Sequence, residues 1–225
     1  MAGDNGTSTV APMSTDPAPV LTRLVLIRHG ESIGNATQTI HGPRMCGGLS
    51  DVGREQCERL AERLARTGEL AGGMLYASQF RRAQETAKLI APALGNPEVR
   101  VDDGFGEIDW GPDCDGLTFA EIVERYGAPD WDADPELILL PGAESVAVLH
   151  RRVSAAIERV VDAHRGGLVV VCTHGGAIDA AVRYALGVTG RGAFDLYTTN
   201  TSLTTITHTS WGRWRIERYN DAAHL

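Results

Sequence analysis

The sequence contains no apolar run approaching the roughly 18 residues that a membrane-crossing helix needs. Its opening, MAGDNGTSTVAPMSTDPAP, lacks the basic flank and apolar stretch of a secretory signal. Positive charge is also scarce. Lys and Arg total 21 against 29 Asp and Glu, a formal charge of -8 with His neutral. That balance disfavours broad attachment to nucleic acid or to an anionic membrane, yet it leaves a few arginines free to converge in one pocket. The four cysteines, Cys46, Cys57, Cys114 and Cys172, show no CxxC spacing, and no Cys/His cluster has zinc-finger spacing. They read as buried or pocket-lining thiols rather than as a disulfide scaffold or a metal site. These absences predict a cytoplasmic chain with a flexible segment over 1–20, one domain over 21–221, and no metal or cofactor.

Hydrophobic residues make up 43% of the chain and are spread along it, which argues for a packed core. Residues 22–27, TRLVLI, and 168–172, LVVVC, are continuous apolar runs, the pattern of strands covered on both faces of a parallel sheet. Shorter strands are predicted over 74–77 and 99–101, and a hairpin or edge strands over roughly 203–208 and 213–219. Helices are predicted over 51–66, with Cys57, Leu60, Ala61 and Leu64 on the buried face, and over 81–90, 117–126, 144–164 and 178–186. Alternating strands and helices predict an α/β fold, a three-layer α/β/α sandwich with a mostly parallel central sheet. Residues 104–116 are too rich in Gly, Asp and Pro for a regular element and read as an active-site loop, with 104–142 adding a small cap.

Both strong strands run into a histidine followed by glycine: LVLIRHGES carries His29 and LVVVCTHGG carries His174. In open parallel sheets the carboxyl ends of strands border the ligand crevice, so the two rings can face one bound group. Gly30, Gly175 and Gly176 allow sharp turns that bring backbone N–H groups near an anion. A histidine nitrogen can act as a nucleophile, and a phosphoryl dianion needs fixed donors such as Arg28.

At these residues the chain closely resembles the histidine phosphatase superfamily, of phosphoglycerate-mutase-like fold. The matching segments are Arg28-His29-Gly30-Glu31 with Asn35, Ser78 through Arg82-Ala83 to Thr86-Ala87, Phe105-Gly106-Glu107, and Thr173-His174-Gly175-Gly176. The resemblance spans about residues 21–209. It implies that His29 becomes phosphohistidine, that Arg28 and Arg82 clamp phosphoryl oxygens, that His174 donates a hydrogen bond, and that Glu107 is the acid and base. Asn35 is expected at the pocket, or as a helix or turn cap. Ser78 is expected to cap the helix presenting Arg82, and Arg81 to lie at the surface. Asp109, Asp113 and Asp115 compete with Glu107, or serve as solvated turn residues. His29 is expected to donate its second ring nitrogen to a backbone carbonyl.

Only residues 108–173 lie between Glu107 and His174, and no RRSY-like segment or PPP run of the mutase type is found. The expected activity is therefore hydrolysis of a small phosphorylated metabolite. The alternatives are a phosphoglycerate-mutase-type phosphotransferase or an inactive phosphate-binding domain. Around 41–49 the family's usual Asp and Pro are replaced by Cys46 and Gly48. There Arg44 is a candidate for a substrate carboxylate or second phosphate, and His41 a weaker one. Trp110, Phe119, Tyr126 and Trp131 either shape a leaving-group pocket or pack the core and cap. A homodimer is possible through an edge or an exposed helix.

Overall fold

A computed structural model describes residues 20–188 and 194–225. The expected flexible segment lies outside the described residues apart from Val20. In chain order the elements are β1 (Leu21–Arg28), α1 (Ile33–Thr37), α2 (Asp51–Thr67), β2 (Met74–Ala77), α3 (Arg81–Ile90), β3 (Val99–Val101), α4 (Phe119–Tyr126), α5 (Val146–Ala163), β4 (Leu168–Thr173), α6 (Gly175–Leu186), β5 (Leu203–Thr209) and β6 (Trp214–Asp221). Short 3-10 turns follow α3 and bracket the acidic loop at Asp103–Phe105 and Pro112–Cys114.

The six strands form one sheet in the order β3-β2-β4-β1-β5-β6. The first four are parallel, and β5 and β6 return antiparallel as the predicted hairpin. Side chains of β1 and β4 alternate between two cores. Leu24, Leu26, Val169 and Val171 pack with Val153, Ile157 and Val160 of α5 and with Ile178 of α6. On the other face Val25, Ile27, Val170 and Cys172 pack with Leu60 and Leu64 of α2 and Ala87 and Ile90 of α3. Burial on both faces explains the unbroken apolar runs and gives the three-layer architecture.

Register delivers the site. In the parallel pair Arg28 stands opposite Thr173, so His29 and His174 occupy the next rung at the strand ends. The His29 N–H still donates to Thr173 O at 2.9 Å.

Three local readings change. Helix α6 begins at Gly175 rather than at 178, because the backbone turns directly from His174 into the helix. Helix α1 is added, nucleated by Ser32, which caps it and receives the reciprocal Asn35 contact. Thr118 and Ser145 stand as N-caps of α4 and α5, so both helices start two residues later than the apolar pattern predicts.

Candidate active site

Arg28, His29, Arg82 and Glu107 line one cavity of about 320 Å³, together with Ser32, Asn35, His41, Ile108, Trp110 and Gly176. His29 is almost fully buried. Its Nδ1 is 2.7 Å from Gly30 O, which can only accept, so the ring proton sits on Nδ1. Nε2 is left as a lone pair, and the Arg82 Nε–H donates to it at 3.1 Å. Burial, and then the Arg82 and Arg28 charges, hold His29 well below the ordinary histidine range and keep the ring neutral. Glycine is required next in the chain: a Cβ at Gly30 would lie 2.5 Å from Gly53 O.

His174 is fully buried behind, its ring centroid 5.0 Å from that of His29 and 4.6 Å from Phe80. Ser78, expected as a cap for α3, does something else. The N-cap is Phe80, without a side-chain cap bond, and Ser78 Oγ lies 2.6 Å from His174 Nε2. Ser78 Oγ also accepts from the Phe80 N–H at 3.3 Å. His174 Nδ1 has no hydrogen-bond partner among the described residues. Burial and the neighbouring arginines push the His174 pKa well down as well.

Two neutral buried imidazoles make stability pH-dependent with a definite sign. Their folded pKa values lie below the unfolded value of about 6.5, so only the unfolded chain gains protons as pH falls through that value. The contribution is complete above pH 6.5 and is lost below it, at up to about 1.4 kcal/mol per pH unit for each histidine. Urea midpoints should thus stay flat from pH 8 to 7 and drop between 6.5 and 5.5, with a shallower drop in His29→Gln. A midpoint that rises over that interval would contradict the neutral assignment.

Arg82 is nearly buried, its guanidinium 4.4 Å over the Phe80 ring. Nη1 donates to His41 O at 3.0 Å and to Cys46 Sγ at 3.4 Å. Arg81 points out and pairs with Glu85, as expected for the neighbouring position on a helix. Arg28 Nη1 donates to Thr198 O, and its Nε is buried without a partner. Asn200 Nδ2 donates to His29 O at 2.8 Å, so residues 198–200 brace the Arg28-His29 turn. Nothing in that polar stretch of sequence announces the role.

The Glu107 carboxylate accepts from Gly176 N–H at 3.0 Å and from Ile108 N–H at 3.0 Å. A Cβ at position 176 would lie 2.2 Å from Glu107 Oε1. The second glycine after His174 therefore makes room for this carboxylate. Gly176→Ala should displace Glu107 and lower kcat on alkyl esters by about a hundredfold, the lower range for a lost acid-base group. Unchanged kcat would show that the contact is dispensable.

Glu107 is held from outside by Arg152 of α5. Arg152 Nη1 donates to the carbonyls of Asp103, Gly104 and Gly106 at 2.9, 3.2 and 3.3 Å, and Nη2 to Glu107 O at 3.3 Å. The same guanidinium forms two hydrogen bonds with Glu144, at 2.9 and 2.7 Å. Arg152 does not stand out in the sequence, where it is one charge among several on a long helix; Glu144 does, in the Pro141-Gly142-Ala143-Glu144-Ser145 segment that resembles the family's and reads as helix-starting or loop-bracing.

Arg44 does not line the cavity. It binds Asp109 through two contacts of 2.7 and 2.6 Å and Asp115 at 3.2 Å, which raises its pKa, and the Arg44 bonds hold Asp109 below the usual carboxylate range. Together with the Gly42 N–H donating to Asp115 at 2.7 Å, this pair laces the 40s loop to the acidic loop. Asp109 and Asp115 are thereby committed as carboxylates to Arg44. Asn35 lies at the cavity rim and completes the α1 capping box, accepting from Ser32 N–H at 3.1 Å. Trp110 lines the cavity, with Phe119 and Trp131 packed edge-on against it, while Tyr126 lies outside it. Among the described residues no group of three or more His, Cys, Asp or Glu side chains is arranged to hold a metal ion, and no helix is long and apolar enough to cross a membrane.

The sequence profile of the histidine phosphatase superfamily (branch 1) matches residues 24–222. The chain belongs to that superfamily. As a histidine phosphatase family member it is 33% identical over 207 residues to phosphoglycerate mutase-like protein 4 of Arabidopsis thaliana, covering 90% of this chain and 86% of that protein. It is 31% identical over 209 residues to the metal-independent phosphoserine phosphatase of the same plant, covering 91% and 84%. Its fold is similar to that of a mycobacterial glucosyl-3-phosphoglycerate phosphatase in complex with VO3, with a TM-score of 0.75, 29% identity, and coverage of 88% of this chain and 99% of that one. Bacillus stearothermophilus YhfR is similar at a TM-score of 0.78 and 27% identity, with coverage of 90% and 98%. The family comprises phosphatases and phosphotransferases acting on small phosphorylated metabolites.

Proposed function

We propose that this protein is a phosphomonoester hydrolase that passes the phosphoryl group through His29. The observation that carries the reading is the unprotonated Nε2 of a neutral, buried His29, aimed at the Arg82 guanidinium within a cavity that also holds Arg28 and Glu107. A phosphoryl group arriving there exchanges the Arg82–His29 contact for contacts with its own oxygens. Arg82 and Arg28 supply fixed positive charge, and the Arg28 Nε–H, without a partner among the described residues, is a donor available to an oxyanion.

In the first step the Nε2 lone pair attacks phosphorus, the bond to the ester oxygen breaks, and a proton on Glu107 goes to that oxygen. In the second, Glu107 takes a proton from water, the water oxygen attacks phosphorus, and the P–N electron pair returns to His29. Both hydrogen bonds to the Glu107 oxygens come from backbone N–H groups, which hold the side chain at the cavity edge.

Hydrolysis is favoured over phosphoryl exchange because the cap is small. Only a one-helix insertion, α4, and irregular chain separate Glu107 from α5, so water has access to the intermediate. Phosphate release across a panel of aryl and sugar phosphates, with product identification, tests the reading. Free phosphate and the parent alcohol are expected; an isomerised phosphoester without free phosphate would point to exchange.

A further inference from the structure

A second cavity, of about 350 Å³, adjoins the one around His29 and shares Ile108, Trp110 and Gly176 with it. Glu107 precedes Ile108, lines the first cavity and binds the Gly176 N–H, so it stands where the two meet. An ester oxygen beside Glu107, with its phosphorus beside His29, would lie at the junction of the two cavities.

The lining there is mostly apolar and ring-rich: Trp110, Trp131, Tyr197, Val146, Leu149 and Leu196. The two indoles meet with centroids 5.1 Å apart at 68°, which fixes each against the other. The polar side chains are His150, Asp179 and Asp195, and no lysine or arginine lines the cavity among the described residues. Arg183 reaches Asp179 at 2.7 Å from beneath, itself buried, and His150 Nε2 is 3.9 Å from the same carboxylate oxygen. Arg44, the remaining candidate for binding an anionic substrate tail, is committed to Asp109 and Asp115.

We propose that this cavity receives the alcohol half of the substrate, and that this alcohol is a flat, ring-bearing group without negative charge. The proposal rests on the hydrolase reading of the His29 site. A carboxylate placed there would shed its water beside two tryptophans and two acidic residues, and no guanidinium lines the cavity among the described residues to receive it. A ring exchanges its water for indole and aliphatic contacts, and hydroxyl or amino groups on it meet acceptors in the two carboxylates. The volume falls in the range of cavities that enclose a small organic ligand, whereas a three-carbon acid would fill little of it.

The test compares three phosphates of primary alcohols: 2-(indol-3-yl)ethyl phosphate, O-phosphoserine and 3-phosphoglycerate. The full chain should hydrolyse the indolylethyl ester with kcat/KM at least about tenfold above either acid. Trp131→Ala should cut that advantage to less than about threefold. Tyr197→Ala, at a side chain 71% exposed, is a second variant that does not open the core and should reduce the advantage in the same direction. Indole-3-ethanol alone should inhibit the wild-type protein competitively and inhibit Trp131→Ala more weakly, a readout that holds even if the variant slows every substrate. Equal or faster turnover of the acids, or an advantage untouched by both variants, overturns the proposal. Release of phosphate from none of the three esters by the wild-type chain would instead overturn the hydrolase reading, and turnover of all three by His29→Ala its nucleophile, so the failures are distinguishable.

Discussion

Replacing His29 with alanine should lower kcat for phosphomonoester hydrolysis by at least about a thousandfold, the scale seen when a covalent nucleophile is removed. The expected loss is large because nothing else in the cavity can substitute. Arg28 and Arg82 carry no nucleophilic lone pair; His174 is fully buried with Nε2 2.6 Å from Ser78 Oγ, and His41, which also lines the cavity, has its Nε2 3.2 Å from Thr39 Oγ1. Without the ring, water must attack phosphorus directly and forfeits the effective concentration of a nucleophile already in place, which reaches about 10⁵–10⁸ M in well-oriented systems. The guanidiniums would still bind phosphate, so KM should change far less than kcat. Colorimetric phosphate release, with far-UV circular dichroism as the folding control, reads the effect. A loss under about tenfold in a folded variant would mean that His29 is not the nucleophile.

Arg152→Ala should be the most damaging change at a residue that touches no substrate. The guanidinium donates to four loop carbonyls and pairs with Glu144, and both side chains are about one-fifth exposed, at 22%. Its removal leaves Glu144 uncompensated and unties the loop that aims Glu107, at a cost of about 2–4 kcal/mol in stability. For a domain of this size that corresponds to a fall of about 5–12 °C in Tm. A merely structural role would slow all substrates alike. If the loop carries the acid, as proposed for Glu107, kcat on alkyl phosphates should fall at least about tenfold further than kcat on nitrophenyl phosphate, whose leaving group needs little protonation. Arg152→Lys, with one ammonium in place of a five-donor fork, should restore part of the stability and little of the leaving-group selectivity. Equal losses on both ester types would assign Arg152 to folding alone.

The meeting of the two histidines is legible in the sequence because two continuous apolar runs read as doubly covered strands, and parallel pairing then carries the residues after them to one edge. What resists reading is whatever depends on a distant partner. Ser78 looks like a helix cap by position, but its hydroxyl meets a ring brought in by β4. Gly175 and Gly176 look like a break in the chain, yet they open α6, and the second is small because Glu107 packs on it. Arg44 looks available for substrate in a loop of glycines, until the acidic loop folds over and supplies two carboxylates. Arg152 is an ordinary surface charge by pattern, and only the helix packing shows that it grips the backbone around Glu107, with Glu144, legible as a loop-bracing residue, as its partner. Asn35 carried both readings from the start, and the structure has it at the rim and in the cap at once.

The most direct test of the account is to quench the protein during turnover of a ³²P-labelled phosphomonoester and map the label by peptide sequencing. The account predicts a phosphoramidate, stable in alkali and released by mild acid, on the peptide containing His29 and absent from His29→Ala. Label on another residue, or turnover with inversion at phosphorus and no labelled protein at any time point, would contradict it.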